Sequence, residues 1–156
     1  MNAGFIVYIV TNPTLRSRKL CSSTISRLEE ILSQESKKAG YDFLDAIVLE
    51  TETKEMVHSN KEKEDCMKRN IFFERKGYLH FNTLHYQQPP LNRVEPSIPF
   101  NLFVKNYRDT LTTKERLFDI ILDIYQEKYF NINGIDKATL DHCLQDKGIT
   151  RQVTNC

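Results

Sequence analysis

An unbroken apolar run, Phe5-Ile6-Val7-Tyr8-Ile9-Val10, ends at Asn12-Pro13. β-Branched and aromatic residues without alternation suit a strand covered on both faces, so the run predicts a central strand. Beyond it Ile25, Leu28, Ile31 and Leu32 recur at helical spacing. Ser26 and Glu29 stand in capping-box register and Gly40 is placed as a stop, which predicts a helix over residues 23–38. Phe43-Leu44-Asp45-Ala46-Ile47-Val48-Leu49 then reads as a second buried strand. Two such strands joined through a helix form a β-α-β unit, parallel and with a right-handed crossover.

The middle of the chain carries weaker patterns. From residue 50 to 57 threonines alternate with charges, as in an exposed or edge strand. Residues 58–69 contain Lys61-Glu62-Lys63-Glu64-Asp65, mixed in charge and without apolar periodicity, and are expected to form a solvated loop. Ile71-Phe72-Phe73-Glu74, a turn at Gly77 and residues 78–86 read as a β-hairpin whose glycine supplies the positive φ. Residues 87–100 hold Pro89, Pro90, Pro96 and Pro99, so a stiff extended connector is expected, with room for a short strand or turn at Phe100-Asn101-Leu102-Phe103-Val104.

Helix punctuation is clearest in the last third. Thr112-Thr113-Lys114-Glu115 reads as a capping box opening a helix over residues 113–130. Its Leu117, Phe118, Ile120, Ile121, Leu122, Ile124 and Tyr125 span an arc too wide for cover on one side. After Asn131-Ile132-Asn133-Gly134, a second helix has Asp136 as cap, Ile135 and Leu140 as a hydrophobic staple, and Gly148 with Ile149 as a Schellman-like stop against Leu144. Residues 151–156 are expected to fray. Together these elements predict an α+β (mixed α/β) fold: the β-α-β unit and the hairpin form a mixed sheet of about four or five strands, covered by a C-terminal two-helix layer, in one globular domain over residues 1–150.

Composition narrows the function classes. A chain of 156 residues, 40% hydrophobic, buries a core without disulfide or metal staples. Lys+Arg 22 against Asp+Glu 21 leaves a formal charge of +1, so nucleic-acid binding would have to come from a local patch. No apolar run is long enough to span a bilayer, and no basic leader with a cleavage site frames the first one. An intracellular protein, cytoplasmic or nuclear, with no membrane partner is expected. Cys21, Cys66, Cys143 and Cys156 lack a CxxC pair and are read as reduced thiols.

Asp45 with Glu52-Thr53-Lys54 resembles the Asp…Glu-x-Lys set of metal-dependent nucleases, but an odd spacing of seven puts the two carboxylates on opposite faces of a straight strand. Among His58, His80, His85 and His142, only His142-Cys143 pairs ligand types closely, and adjacent helical residues diverge by about 100°, so no metal site is expected. Ser22, Ser23 and Thr24 stand where a phosphate cradle would lie, without glycines to let amides approach. No cofactor is implied. The basic residues Arg16, Arg18, Lys19, Lys68, Arg69, Arg75 and Lys76, beside Phe72 and Tyr78, would bind single-stranded nucleic acid if they shared one face.

From Ser23 onward, the order helix, strands, hairpin, Tyr86-Gln87-Gln88-Pro89-Pro90 and two helices resembles the RWD and ubiquitin-conjugating fold group, which has a tyrosine-proline turn after its meander. Gln87 stands where that group has its proline, and no cysteine lies between Leu91 and Leu140 to serve as a conjugating nucleophile. The resemblance implies a non-catalytic interaction module. The leading expectation is accordingly a non-catalytic binding or assembly subunit of an intracellular complex. It would contact another protein subunit through Phe72, Tyr78, Leu91, Val94, Ile98 and Phe100. A nucleic-acid-binding accessory protein comes second, and a nuclease using Asp45, Glu52 and Lys54 third.

Overall fold

A computed structural model describes residues 2–10, 19–81, 84–91, 96–108, 113–146 and 149. Its elements are β1 Ala3–Ile6, α1 Leu20–Lys38, β2 Ala46–Glu52, α2 Asn60–Arg75, β3 Leu79–His80, β4 Gln87–Gln88, β5 Ile98–Asn106, α3 Lys114–Ile124, a π-helical segment Tyr125–Ile132 and α4 Lys137–Gln145. The fold is α+β with a mixed sheet of five strands, as the sequence predicts. The strand order is β1-β2-β5-β3, with β4 also pairing β5. β1 runs parallel to β2 from Ala3 opposite Ala46 to Ile6 opposite Leu49, while β5 runs antiparallel to all of β2, from Asn106 opposite Ala46 to Phe100 opposite Glu52.

The β-α-β unit is therefore present, but its first strand is the sheet edge and not the centre. Val7, Tyr8 and Val10 are 67%, 82% and 71% exposed. The central place belongs to β2 and β5, where Leu102, Phe103 and Val104 are wholly buried. Prolines disguise β5 in the sequence, yet Pro99 sits near the strand's start, where a missing N–H is tolerated. Residues 50–52 complete β2 and pair with β5 on one side, while β1 pairing on the other side ends at Leu49.

The largest correction lies between residues 58 and 78. The expected solvated loop and the first hairpin strand are one helix, α2. Ser59 Oγ accepts from the Glu62 amide at 3.2 Å while the Glu62 carboxylate accepts from the Ser59 amide at 2.9 Å, a complete capping box. Cys66 and Phe73, two turns apart, are the buried side of α2, and the Lys61–Asp65 charges are its wet side. Gly77, at φ 83°, is not a hairpin turn but the left-handed residue of a Schellman stop: Tyr78 N–H donates to Phe73 C=O at 3.1 Å and Gly77 N–H to Glu74 C=O at 2.9 Å. That helix also removes the meander on which the resemblance to the RWD group rests.

Other punctuation holds with small shifts. Gly40 stops α1 by the same device, with Tyr41 N–H donating to Ser36 C=O at 3.1 Å. α1 starts three residues before the expected Ser23, at Leu20 with Lys19 as N-cap. Thr113 caps α3 by accepting from the Arg116 amide at 3.2 Å, and the expected cap Thr112 lies outside the described residues. Asp136 caps α4 through the Thr139 amide at 3.0 Å, and buried Ile149 donates to Leu144 C=O at 3.0 Å, whereas Gly148 lies outside the described residues.

Helices cover both faces of the sheet. α3, the π segment and α4 pack on Val48, Leu102 and Val104 through Leu117, Ile120, Ile121, Tyr125 and Leu140. α1 and α2 pack on Ile47, Leu49 and Phe103 through Ile25 and Phe73. The wide apolar arc of α3 is explained by this cover from sheet and α4 together. Among the described residues, no helix is long and apolar enough to cross a membrane.

Candidate functional site

β1 stops pairing at Ile6, opposite Leu49, whereas β5 accompanies β2 to Glu52. Beyond Leu49 the β1-facing edge of residues 50–52 has no ladder partner among the described residues, and residues 7–10 leave the sheet. The two parallel strands thus part at their carboxyl ends, leaving a wedge where residues 50–52 keep β5 as their one ladder partner among the described residues, and where the Glu52 carbonyl accepts from Cys66, Arg69 and Asn101 side chains. Open sheets with helical crossovers bind ligands at such places, because main-chain donors and the start of the next helix converge there.

The next helix is α1. Lys19 caps it in the left-handed conformation, at φ 59° and ψ 10°, without a side-chain cap and with no acidic residue in the first turn. Its first amides, without a side-chain cap among the described residues, and the positive end of its dipole favour an anion. Burial pushes the Cys21 thiol, in that first turn, upward, and the nearby charge of Lys76 pulls against it. Lys19, from one predicted basic cluster, caps α1, and the charge of Lys76, from the other, is felt at Cys21 in its first turn. The clusters do not act as a whole: Lys68 pairs with Glu64 at 3.4 Å, Arg69 reaches the Glu52 carbonyl at 3.1 Å, Arg75 lies in the last turn of α2, and Arg16 and Arg18 fall outside the described residues.

Glu50 is the first β2 residue past the β1 ladder, and strand alternation sends its side chain toward the π segment. Its carboxylate accepts from Tyr86 Oη, from Tyr129 Oη at 2.9 Å and from Lys128 Nζ at 2.5 Å. Only 5% of the Glu50 side chain and 16% of the Lys128 side chain is exposed. The Lys128 ammonium also lies 4.8 Å from the centre of the Phe5 ring on β1, so one cation ties β1, β2 and the π segment together. Burial first, then the Glu50 charge, pushes the phenols of Tyr86 and Tyr129 well above the ordinary range. Both stay protonated and donate to the Glu50 carboxylate. Consecutive side chains diverge by about 100° on an α-helix; the wider π turn lets Lys128 and Tyr129 both reach one carboxylate.

A cavity of about 540 Å³ lies beyond the end of β2, walled by Lys54, Met67, His80, Phe81, Leu84, His85, Tyr86 and Phe100 among others. His80 is committed, with Nε2 3.1 Å from Asn101 Oδ1 and its ring stacked on Phe103. His85 is exposed and has no hydrogen-bond partner among the described residues.

The residues singled out from sequence fall as follows. Asp45 precedes β2 and is held by Arg116 at 3.4 Å, Arg108 at 3.9 Å and the Asn2 amide at 3.2 Å. Glu52 ends the same strand, roughly 20 Å away at the usual rise per residue, so Asp45, Glu52 and Lys54 do not converge. No group of three or more His, Cys, Asp or Glu among the described residues could hold a metal. Tyr78 is 1% exposed and Phe72 half-buried, both against the α1/α2 core. Ile98 and Phe100 are half-buried in β5, Leu91 is exposed, and Val94 lies outside the described residues. The Glu50 knot was missed, and its one sequence signal is a carboxylate adjoining Ala46-Ile47-Val48-Leu49.

No family model matches this chain, and no curated protein matches it. Among solved structures, a Bacteroides thetaiotaomicron protein assigned as an acetyltransferase of the GNAT family superposes with a TM-score of 0.57 at 22% identity. The match covers 85% of this chain and 61% of that one, so this chain spans less than two thirds of the neighbour's length. The likeness shows the fold, and it corrects the leading expectation from sequence. The expected non-catalytic binding or assembly subunit is not supported by this likeness, which is to the fold of one structure assigned as a GNAT-family acetyltransferase. The expectation went astray because it tested only residues close in sequence, whereas the wedge is main chain and the Glu50 knot gathers residues 36 to 79 positions apart.

Proposed function

We propose that this chain binds an acetyl thioester in the wedge between β1 and β2 and transfers the acetyl group to a nucleophile. The observation that carries the reading is the early parting of β1 from β2, in a fold shared with a GNAT-family structure. Residues 7–10 offer an extended donor the main-chain partners that a strand would otherwise provide. An anionic portion of the donor would rest on the first amides of α1, beside Lys19 and within reach of the Lys76 charge. No glycine lies between Gly4 and Gly40, so the left-handed turn that aims those amides is made by Lys19 itself. In the transfer, the nucleophile's lone pair attacks the thioester carbonyl carbon, the C–S pair leaves on sulfur, and the proton the nucleophile gives up balances the one the thiolate takes to become the thiol. A backbone N–H in the wedge would stabilise the oxyanion formed on the way. The Glu50 knot, through Lys128 and Phe5, holds β1 at a fixed separation while this happens.

Calorimetric titration with acetyl-coenzyme A, a thioester with a phosphorylated tail, tests the reading together with an assay for released thiol. Saturable binding is expected, weakened roughly tenfold by Lys76→Glu and by raised salt, as an ionic contact requires. Absence of binding at millimolar donor overturns it.

A further inference from the structure

We infer that the outer flank of β1 docks another protein, which adds an extended segment there as an antiparallel strand and sets a lysine or arginine of that segment against Asp123 and Glu127. The inference does not depend on the function proposed above. Among the described residues β1 pairs β2 alone, so its second flank is a border of the sheet. The residues from Asn2 to Val10 are uncharged, and Val7, Tyr8 and Val10 just beyond the strand are exposed. A strand added to such a border gains main-chain hydrogen bonds, and its alternate side chains meet whatever lies above and below the sheet.

What lies on the α3 side sets the chemistry of the partner. A hollow of about 150 Å³ opens between β1 and α3, lined by Phe5, Ile120, Asp123, Ile124, Glu127 and Lys128 among others. It is smaller than a small-molecule site and has room for one long side chain. Phe5, Ile120 and Ile124 make part of the lining apolar, which suits the methylene stem of a lysine or arginine. Charge decides the head group. Glu127 accepts from the neutral Asn131 amide at 2.8 Å, and Lys128, the one cation on the lining among the described residues, is already matched by Glu50 at 2.5 Å. Two carboxylates beside a matched cation leave the hollow negative, so a basic side chain is drawn to it and an acidic one repelled. A second copy of this chain meets the border less well: its own β1 brings no cation, and twofold pairing of like strands sets the same acidic rims against each other. The better occupant is a different protein, with an alternating segment whose hollow-facing residues are apolar and basic.

The test adds fluorescein-labelled peptides to the full chain, following binding by anisotropy and the chain's own backbone by hydrogen exchange. The probe is Thr-Val-Thr-Lys-Thr-Val-Thr, whose Val and Lys share one face; the comparisons carry Glu in place of Lys, or an N-methylated backbone. The lysine peptide is expected to bind about tenfold tighter than the glutamate peptide, to weaken as salt is raised, and to slow exchange at Ala3–Ile6. N-methylation should abolish binding, since it removes the donors a strand needs. Asp123→Asn with Glu127→Gln should weaken the lysine peptide about tenfold and erase the preference between the two peptides; Glu127→Gln alone, at an exposed position, should give part of that loss. No binding of the lysine peptide at millimolar concentration, equal affinity for the two peptides, or binding without slower exchange at β1 overturns the inference. So does a stable dimer at micromolar concentration with β1 already protected, because a second copy then holds the border.

Discussion

Each face of the sheet carries a carboxylate, a lysine and tyrosine, at different depths. Toward the π segment, Glu50 holds Lys128, Tyr86 and Tyr129 with side chains 5% and 16% exposed for the ion pair. Toward α1 and α2, Glu29 accepts from Lys105 at 2.9 and 3.0 Å and from Tyr78 at 3.0 Å, with 19% and 23% exposed. The shallower set sits where water still reaches it, and Lys105 also lies over the Tyr78 and Tyr107 rings. Deep placement makes a charge pair a poor source of net stability and a severe liability once one member is removed. The same chemistry is therefore a fastening on one face and closer to an ordinary surface contact on the other.

Removing one charge from each face separates the two. Glu50→Gln leaves the Lys128 ammonium buried without a counter-charge and is expected to cost about 3–5 kcal/mol, read from the shift in urea midpoint. Glu29→Gln is expected to cost about 2 kcal/mol, the scale of a hydrogen bond to a charged group. Equal losses from the two variants would break the contrast of depth.

Alkaline titration sharpens it further. Burial pushes Tyr78, Tyr86, Tyr125 and Tyr129 far above the ordinary phenol range, and it pushes Tyr107, aided by Glu29, up to about 12. A folded phenol that keeps its proton after the unfolded chain has lost it stabilises the fold fully below about pH 10, and that contribution is lost as pH rises. Phenolate absorbance should therefore show Tyr107 titrating near 12 and the four deeper tyrosines only as the chain unfolds. Early, gradual ionisation of Tyr86 or Tyr129 would mean that water reaches the Glu50 knot. The smallest effect is expected at the start of α1. Lys19→Gly removes a left-handed non-glycine residue and should raise stability by about 1 kcal/mol, seen as a small increase in melting temperature.

What could be read along the chain was what neighbours in sequence decide. The stop at Gly40 and the Asp136 cap each depend on a few adjacent residues, and the parallel pairing of the two apolar runs follows from the single helix that joins them. α2 escaped notice because its buried side amounts to little more than Cys66 and Phe73 within a strongly charged helix. β5 escaped because Pro96 and Pro99 announce a connector, although the strand that follows is wholly buried at Leu102, Phe103 and Val104. The position of β1 at the edge depends on β5 taking the other side of β2, a pairing about fifty residues distant. The Glu50 knot requires a π turn to bring Lys128 and Tyr129 together, and no composition or spacing rule announces one.

Among the described residues no strand pairs the outer flank of β1, and this has a practical consequence for handling the protein. From Asn2 to Val10 the chain carries no charged side chain, and natural sheets usually guard an open border with lysine, proline or a bulge. Concentrated preparations should self-associate through this strand and precipitate on standing.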